Sequence, residues 1–312
     1  MKKICFRSIL ITLLVGMLSS LNSCIKEDLS ECPDGTRIIV KTDTETYQDS
    51  PDRYNNIENV TIYVFDEDNR FVTAWEGGAY THGSVYAATI PLEKGKYKFV
   101  AWTNQGEIYK VSHTIALCQQ TKPLLSELYL YVDYPSDKYI RDIIPNLHYG
   151  DLSDIVVENT RNNEHTIILK PNTYKLNFTV QGLPADTDQY GFQVKDDNSH
   201  YGFDNSILSG KEEFNYIRTT GFAAGELKES LIELKLDHGR NTVFTFSNAT
   251  KNEVLYSGSL IGMINKAYAA GGQAVDFSKI YEFDIILSFD SNMDVSISIN
   301  GWDYQGQGGE LE

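Results

Sequence analysis

The sequence predicts an all-β protein with two tandem antiparallel β-sandwich domains after a lipoprotein signal peptide. Two observations support the β-sandwich fold: short runs that alternate apolar and polar residues, and frequent Gly, Asn and Asp between the runs. A leader that ends in a cysteine supports the signal peptide. Alternation with a period of two gives a strand one buried and one solvated face, which is typical of antiparallel sandwiches. The 312 residues, of which 41% are hydrophobic, suffice for two ordinary domains.

The leader has the organisation of a lipoprotein signal peptide. Three basic residues precede an apolar stretch from Ile9 to Leu18, which is too short for a bilayer span of roughly 20 residues but fits a secretory h-region. The stretch ends in Leu21-Asn22-Ser23-Cys24, the pattern of a bacterial lipobox. We therefore predict a signal peptide over residues 1–23, acylation of Cys24 and a lipidated segment over 24–35; an ordinary secretory signal with a chance cysteine is the alternative.

The charge of the chain constrains its partners. Lys and Arg number 27 against 43 Asp and Glu, so the net charge is −16. Such an acidic body is not expected to wrap nucleic acid or to adhere to an anionic bilayer, because both need cationic side chains. The lipid must therefore hold the protein at the membrane. Lys26-Glu27-Asp28, just after the lipid, resembles a signal that sends some lipoproteins to the cell exterior, which predicts a surface-exposed, lipid-anchored protein.

The strands are predicted from the alternating runs, and one helix from its capping residues. Ser259 to Ala270 reads as a helix ended by Gly271-Gly272, with a turn near Asp276–Ile280. The clearest strands are Val60–Phe65, Arg70–Trp75, Val85–Ile90, Tyr97–Trp102, Tyr129–Tyr134, Leu176–Val180, Ile232–Leu236, Phe244–Phe246, Phe283–Phe289 and Val295–Ile299.

A polar stretch near the midpoint gives the predicted domain boundary. The run from Glu158 to Glu164 interrupts the rhythm of the strands. A division there predicts an N-terminal β-sandwich over 36–163 and a C-terminal β-sandwich over 164–312, each near the usual domain size.

The sequence contains no recognisable catalytic or metal-binding motif. The six histidines lack metal-ligand spacing and read as surface or half-buried side chains, and neither a nucleophile elbow nor a phosphate-binding glycine loop is present. Asp66-Glu67-Asp68 and Asp196-Asp197-Asn198 lack the spacing of a calcium loop and read as hairpin turns. We therefore predict a protein that is not an enzyme and has no catalytic, cofactor or metal site.

Two residue sets leave alternatives open. Trp75, Trp102 and Trp302 would suit a sugar-stacking platform, although Trp102 ends a strand, where core packing is the commoner use of a large aromatic. Cys32 and Cys118 are the cysteines of the mature chain besides the lipidated one. Outside the cytoplasm they can form a disulfide or remain two buried thiols.

Taken in order, several motifs resemble the lipidated anchor subunits of bacterial type V fimbriae, the fimbrillin-associated anchor proteins. They are Cys24-Ile25-Lys26-Glu27-Asp28-Leu29-Ser30-Glu31-Cys32-Pro33, Ile62–Asp68, Gly95–Trp102, Leu176–Leu183 and Ser296–Trp302. The resemblance spans essentially the whole mature chain. It implies transthyretin-like sandwich domains, fimbrial pilin subunits as partners, and the role of an outer-membrane anchor without catalytic residues.

Strand addition suggests how such a protein would work. Fimbrial subunits join when a strand of one completes the open sheet of another. Cleavage at Arg37 or Arg53 would separate the lipid from the body, so we expect the N-terminal strand, Arg37–Lys41, to stay in place and the protein to terminate the polymer. The polymer-facing edge is predicted at Val295–Ile299 or at the tail Gln305–Glu312. The alternatives are a fimbrial tip or accessory subunit and a glycan-binding surface lipoprotein.

Overall fold

The structure, a computed structural model, describes residues 35–42, 57–80, 86–158, 163–208 and 211–305. The chain from Gly35 onward forms one compact unit. The strands of the first half are β1 (Thr36–Thr42), β2 (Val60–Asp66), β3 (Phe71–Gly77), β4 (Tyr86–Ile90), β5 (Gly95–Thr103), β6 (Tyr109–Val111), β7 (Tyr129–Val132), β8 (Tyr139–Ile140), β9 (His148–Val157) and β10 (Glu164–Pro171).

The second half continues with a similar number of strands. They are β11 (Thr173–Gln181), β12 (Tyr190–Asp196), β13 (His200–Gly202), β14 (Phe214–Thr220), β15 (Leu227–Leu234), β16 (Val243–Asn248), β17 (Glu253–Ser259), β18 (Glu282–Phe289), β19 (Val295–Ile299) and β20 (Trp302–Gln305). The helices of the described residues are α1 (Ile115–Thr121), α2 (Leu260–Ala270) and a 3₁₀ turn over Leu125–Glu127. None of them is long and apolar enough to cross a bilayer.

Within the described residues the strands pair into four sheets, which confirms the all-β fold class. A seven-stranded sheet has the order β3-β2-β5-β9-β10-β1-β4, and a three-stranded sheet the order β13-β7-β6. Two five-stranded sheets have the orders β15-β11-β18-β19-β20 and β17-β16-β12-β14-β8. Pairing is antiparallel except for β1 with β10, β11 with β18 and β14 with β8.

Strand β2 departs from the expected alternation. Its residues from Val60 to Phe65 are all buried, including Thr61 and Tyr63 on the face predicted to be solvated. The strand lies between β3 and β5, and its Tyr63 ring packs edge-on against Phe203 with ring centroids 4.8 Å apart. The prediction of one wet face is therefore wrong for β2, because the second half of the chain covers that face.

The helix predicted from its capping residues is confirmed. Ser259 is the N-cap of α2, and its hydroxyl oxygen accepts a hydrogen bond from the Gly262 amide at 3.0 Å. Gly271 ends the helix. The expected turn follows, with the Ile280 amide donating to the Asp276 carbonyl oxygen at 3.0 Å.

Helix α1 is absent from the sequence-based prediction. It is seven residues long, and Cys118 is its buried residue. A helix this short, with one buried position, has no repeated apolar face to reveal it. The Thr114 hydroxyl caps it by accepting from the Leu117 amide at 3.3 Å.

Strands from both sides of the predicted domain boundary share sheets. β10 pairs with β1 and β9, β13 pairs with β7, and β14 pairs with β8. The buried side chains of both halves also form one continuous hydrophobic core. The division into 36–163 and 164–312 stays a prediction. Two domains defined by it would each contribute strands to sheets of the other.

Candidate functional site

Strand β1 occupies an interior position of the seven-stranded sheet. It pairs with β10 on one side, from Arg37↔Glu164 to Thr42↔Leu169, and with β4 on the other. Ile38 and Val40 are completely buried. Each such side chain stabilises the fold by about 1.5–3 kcal/mol, so β1 is an integral part of the sheet.

Arg37, one of the two positions where cleavage would separate the lipid from the body, is the second residue of β1. Its amide donates to the Asn163 carbonyl oxygen at 2.7 Å, and its half-exposed guanidinium lies 3.3 Å from the Glu164 carboxylate. Cleavage here would cut a strand that is paired on both sides. Arg53, the other position, lies outside the described residues.

Of the two segments at which the polymer-facing edge is predicted, the structure describes Val295–Ile299. Val295–Ile299 forms β19, which pairs with β18 on one side and with β20 on the other. This strand cannot be the polymer-facing edge, because both of its sides are already paired within the chain. The edge belongs to β20, which follows β19 through an Asn300-Gly301 turn with positive φ angles of 50° and 82°. The tail beyond Gln305 lies outside the described residues.

The Trp302 side chain holds β20 against the body of the protein. Trp302 packs against the hydrophobic core and lies so close to Gly271 that a Cβ atom there would overlap its ring. The three tryptophans do not share a surface: Trp102 is completely buried, as expected for a core residue, and Trp75 packs against Tyr86 with ring centroids 5.6 Å apart. The sugar-stacking platform of three tryptophans is therefore wrong.

Of the predicted site cysteines, the structure describes Cys118 and not Cys24 or Cys32. Cys118 is buried on α1, and its Sγ lies 3.9 Å from the His113 carbonyl oxygen. Burial raises the pKa of this thiol above its usual value, which makes it a poor nucleophile. Acylation of Cys24 and the pairing of Cys32 with Cys118 stay predictions.

The two acidic clusters have different roles. Asp66 forms the predicted hairpin turn, because its Oδ1 accepts from the amides of Asp68 and Arg70 at 3.0 and 2.9 Å. Asp196 is instead buried, lies 2.6 Å from the Arg240 guanidinium and accepts from the Thr242 hydroxyl at 2.5 Å. The turn prediction is therefore wrong for Asp196, because its carboxylate forms a buried ion pair with Arg240, a residue distant in the sequence. In the part of the chain that the structure describes, no group of three potential ligands could hold a metal ion.

Strand β15 contains a buried carboxyl group that no sequence motif indicated. Glu233 is completely buried, and neither of its carboxylate oxygens has a hydrogen-bond partner among the described residues. Burial, and to a smaller extent the charge of Asp196, raises the pKa of Glu233 well above its ordinary value. This carboxyl group therefore favours the protonated form in the folded protein.

One histidine also departs from the prediction. His148 is completely buried at the start of β9, and its Nδ1 lies 3.2 Å from the Thr103 hydroxyl. The expectation of a surface or half-buried side chain is therefore wrong for His148.

A small aromatic surface lies on the three-stranded sheet. Tyr131 of β7 is directly opposite His200 of β13, and their rings stack with centroids 5.5 Å apart. Tyr129 lies 5.6 Å from His200, and the Lys211 ammonium lies 5.6 Å from the Tyr129 ring. All three rings are partly exposed, whereas the residues between them along the strands are core residues.

A groove of about 610 Å³ has residues of β9 and β10 along one wall. Its other wall is formed by the loops that follow β15 and precede β18. The residues that line it are Tyr149, Gly150, Asp151, Leu152, Thr166, Ile168, Lys170, Pro171, Asn172, Tyr174, Asn205, Lys235, Leu236, Asp237, Phe277, Ser278 and Tyr281. No sequence motif indicated this groove, because its walls come from five separated segments.

Comparison with known proteins agrees with the fold and gives the family. The model of the family described as "Fimbrillin-A associated anchor proteins Mfa1 and Mfa2" matches residues 29–308. The major fimbrium anchoring subunit FimB of Porphyromonas gingivalis is 27% identical over 190 residues, which is 59% of this chain and 57% of that protein. The chain thus spans little more than half the length of this relative.

Solved structures share the fold at lower identity. The fimbrial anchor protein Mfa2 of P. gingivalis is 19% identical, with a TM-score of 0.67 over 87% of this chain and 99% of that one. A Bacteroides thetaiotaomicron protein, for which polysaccharide binding has been proposed, is 18% identical, with a TM-score of 0.69 over 87% and 98% of the two chains. The family match covers most of the sequence, and the chain belongs to the fimbrillin-A associated anchor proteins.

Proposed function

We propose that this protein is the lipid-anchored base subunit of a fimbria, which terminates the polymer at the outer membrane. Membership in an anchor family supports the fimbrial role, since the relatives named above are anchoring subunits. The acyl chains on Cys24 hold the protein to the membrane, because the acidic body offers little attraction to anionic lipids. The family is structural, so the protein acts by binding pilin subunits and not by catalysis.

The position of β1 is the observation on which the terminating role depends. A subunit that gives up its first strand opens a groove into which a neighbour can insert its own strand. β1 is paired on both sides and its core side chains are buried. A base subunit that keeps β1 remains connected to its lipid and offers no groove for further growth at that end. It would then join the polymer through the C-terminal edge, β20 and the tail.

Sequencing the mature N-terminus of the protein in purified fimbriae tests whether β1 is retained. We expect a blocked, acylated Cys24. A free N-terminus just after Arg37 or Arg53 would contradict the proposal, because either cut separates the body from the lipid.

Substitution of the lipidated cysteine tests the anchor itself. Cys24→Ser should release the protein into the medium and give detached fimbriae, whereas Cys5→Ser, within the leader, should leave both attached. Fimbriae that stay on Cys24→Ser cells with normal length would refute the anchoring role.

A further inference from the structure

Four loops lie at one end of the two five-stranded sheets. The strand registers place at this end the last residues of β11, β14, β16 and β18 and the first residues of β12, β15, β17 and β19. We define the distal loop surface as residues 182–189, 221–228, 249–254 and 290–294. The chain enters these sheets from β10 at the opposite end, where Thr173 of β11 pairs with Leu234 of β15. The distal loop surface therefore lies opposite the connection with the first half of the chain.

Large apolar side chains are exposed on two of these loops. Val254, the second residue of β17, is 63% exposed, and Met293, in the β18–β19 hairpin turn, is 46% exposed. The two hairpins are neighbours, because the rings of Phe246 on β16 and Phe289 on β18 have centroids 5.9 Å apart. Apolar side chains exposed on neighbouring loops are typical of an interaction surface.

The turns themselves do not account for these apolar residues. Met293 has a φ angle of 67°, and Ala224, which is exposed in the loop between β14 and β15, has a φ angle of 52°. The amides of Ala223 and Glu226 donate to one another's carbonyl oxygens at 2.8 and 3.0 Å, so Ala224 is a central residue of a two-residue turn. Asn and Gly are the residues that such positive-φ positions favour. Apolar residues at these positions therefore indicate a role outside the fold.

Carboxylates surround the apolar side chains of the distal loop surface. Its two lysines are both paired within the surface: the Lys228 ammonium lies 2.9 Å from the Glu226 carboxylate, and the Lys251 ammonium 2.6 Å from that of Asp188. The carboxylates that form no ion pair within the described residues are Asp186, Glu253, Asp290 and Asp294. All four of these residues are exposed, so the surface combines apolar side chains with uncompensated negative charge.

This combination selects among the possible partners. An anionic membrane would repel the four carboxylates, although apolar residues in loops can otherwise enter a bilayer. The same surface of a second copy would place like charges opposite one another, which disfavours a symmetric dimer. A protein partner with basic side chains around an apolar patch satisfies both the charges and the apolar residues.

The C-terminal strand connects this surface to the fimbrial role. Gln305, the last residue of β20, pairs with Ser296 at the start of β19, so β20 ends beside the distal loop surface. We propose that the distal loop surface binds the adjoining pilin subunit, through basic side chains that surround an apolar patch on the pilin. Met293 and Val254 would pack on that patch, and the four carboxylates would pair with the cations around it. This inference rests on the proposed function and extends the attachment from β20 to the neighbouring loops.

Photo-crosslinking in fimbriated cells identifies the partner. Met293→p-benzoylphenylalanine should give a crosslink to a pilin subunit, identified by mass spectrometry. Ile143→p-benzoylphenylalanine is the control, because Ile143 is 65% exposed and follows β8, which pairs with β14 at the opposite end of that sheet. A crosslink from position 293 to a second copy, a crosslink to no protein, or equal pilin crosslinks from both positions would overturn the proposal.

Charge reversal tests the chemistry of the partner. Glu253→Lys combined with Asp294→Lys should weaken binding of the full chain in detergent to pilin purified from fimbriae by about tenfold or more, measured by biolayer interferometry. Glu107→Lys combined with Asp142→Lys makes the same change on exposed residues outside the distal loop surface, and should leave the affinity unchanged. Binding by the unmodified protein should also weaken as salt rises from about 50 to 500 mM. Equal affinities of the two double variants would contradict the proposal.

Cells separate a failure of this surface from a failure of the anchoring role. Met293→Asp leaves Cys24 intact, so the protein should remain on the membrane while fimbriae are shed into the medium. Ile143→Asp should keep both in place. Normal fimbriae and normal pilin affinity in the Met293→Asp protein would refute the distal loop surface alone. An unmodified protein that binds no pilin would refute the proposed function as well.

Discussion

The first and last described strands of the molecule are held in different ways. β1 lies inside the seven-stranded sheet, with partners on both sides and completely buried Ile38 and Val40. β20 lies at the edge of a five-stranded sheet, has β19 as its strand partner, and relies on the contact of Trp302 with Gly271. The opposite edge of that sheet, β15, contains the unpaired Glu233. Strand β1 is thus held by strands on both sides and by buried side chains. Strands β15 and β20 are the two edges of the C-terminal sheet and are held less firmly.

The largest effect is expected from the core side chains of β1. Ile38→Ala should lower the free energy of unfolding by about 2–5 kcal/mol, because it leaves a cavity in the hydrophobic core. Urea denaturation measures this. Lys41→Ala, at an exposed position of the same strand, should change stability by no more than about 0.5 kcal/mol. Equal effects of the two variants would show that burial does not hold β1.

The pH dependence of stability tests β15. The folded pKa of Glu233 is raised, so the native state binds its proton more tightly than the unfolded chain. Stability from this group is therefore fully present below the unfolded pKa of about 4.3 and is lost as pH rises towards the folded value, by up to about 1.4 kcal/mol per pH unit.

Glu233→Gln should remove this slope. Denaturation at pH 5 and pH 8 measures it, and Glu253→Gln, an exposed carboxyl on the edge strand β17, should keep the slope of the unmodified protein. A Glu233→Gln protein with an unchanged slope would show that the carboxyl group is not buried in solution.

The smallest effect on stability is expected at β20. Gly271→Val should displace the Trp302 ring and cost about 1 kcal/mol, while hydrogen exchange at residues 302–305 becomes faster. Gly78→Val adds the same side chain where a Cβ would meet nothing within 4 Å and should change neither quantity. Slow exchange at 302–305 in the Gly271→Val protein would show that pairing with β19 alone holds β20.

The success of the sequence-based predictions depended on how local each signal was. Helix α2 could be predicted because Ser259 and Gly271 mark its ends. The β2–β3 turn could be predicted because it is local: Asp66 accepts hydrogen bonds from amides two and four residues ahead. Asp196 has a similar sequence context, but its carboxylate pairs with the guanidinium of Arg240, 44 residues away. The alternation likewise predicts that Tyr63 faces solvent, but in the fold the ring of Phe203, a residue distant in the chain, covers it.

The candidate sites divide in the same way. The predicted leader and lipobox, and each of the family motifs, are contiguous segments of the chain, so their patterns are visible in the sequence alone. The groove could not, since Asn172, Lys235 and Tyr281 meet only when separate segments pack together. The lack of a hydrogen-bond partner for Glu233 could not be predicted either, because a glutamate in an alternating run gives the same sequence pattern whether or not its carboxylate has a partner.

The sequence by itself determined the β-rich fold, the predicted lipid attachment and the family, because alternation, capping and leader motifs act over a few residues. The tertiary structure decided which strands are interior and which are edges, which acidic groups are paired, and where a groove forms. These properties depend on contacts between segments distant in the chain, whose free energies come from burial and pairing after the strands have packed.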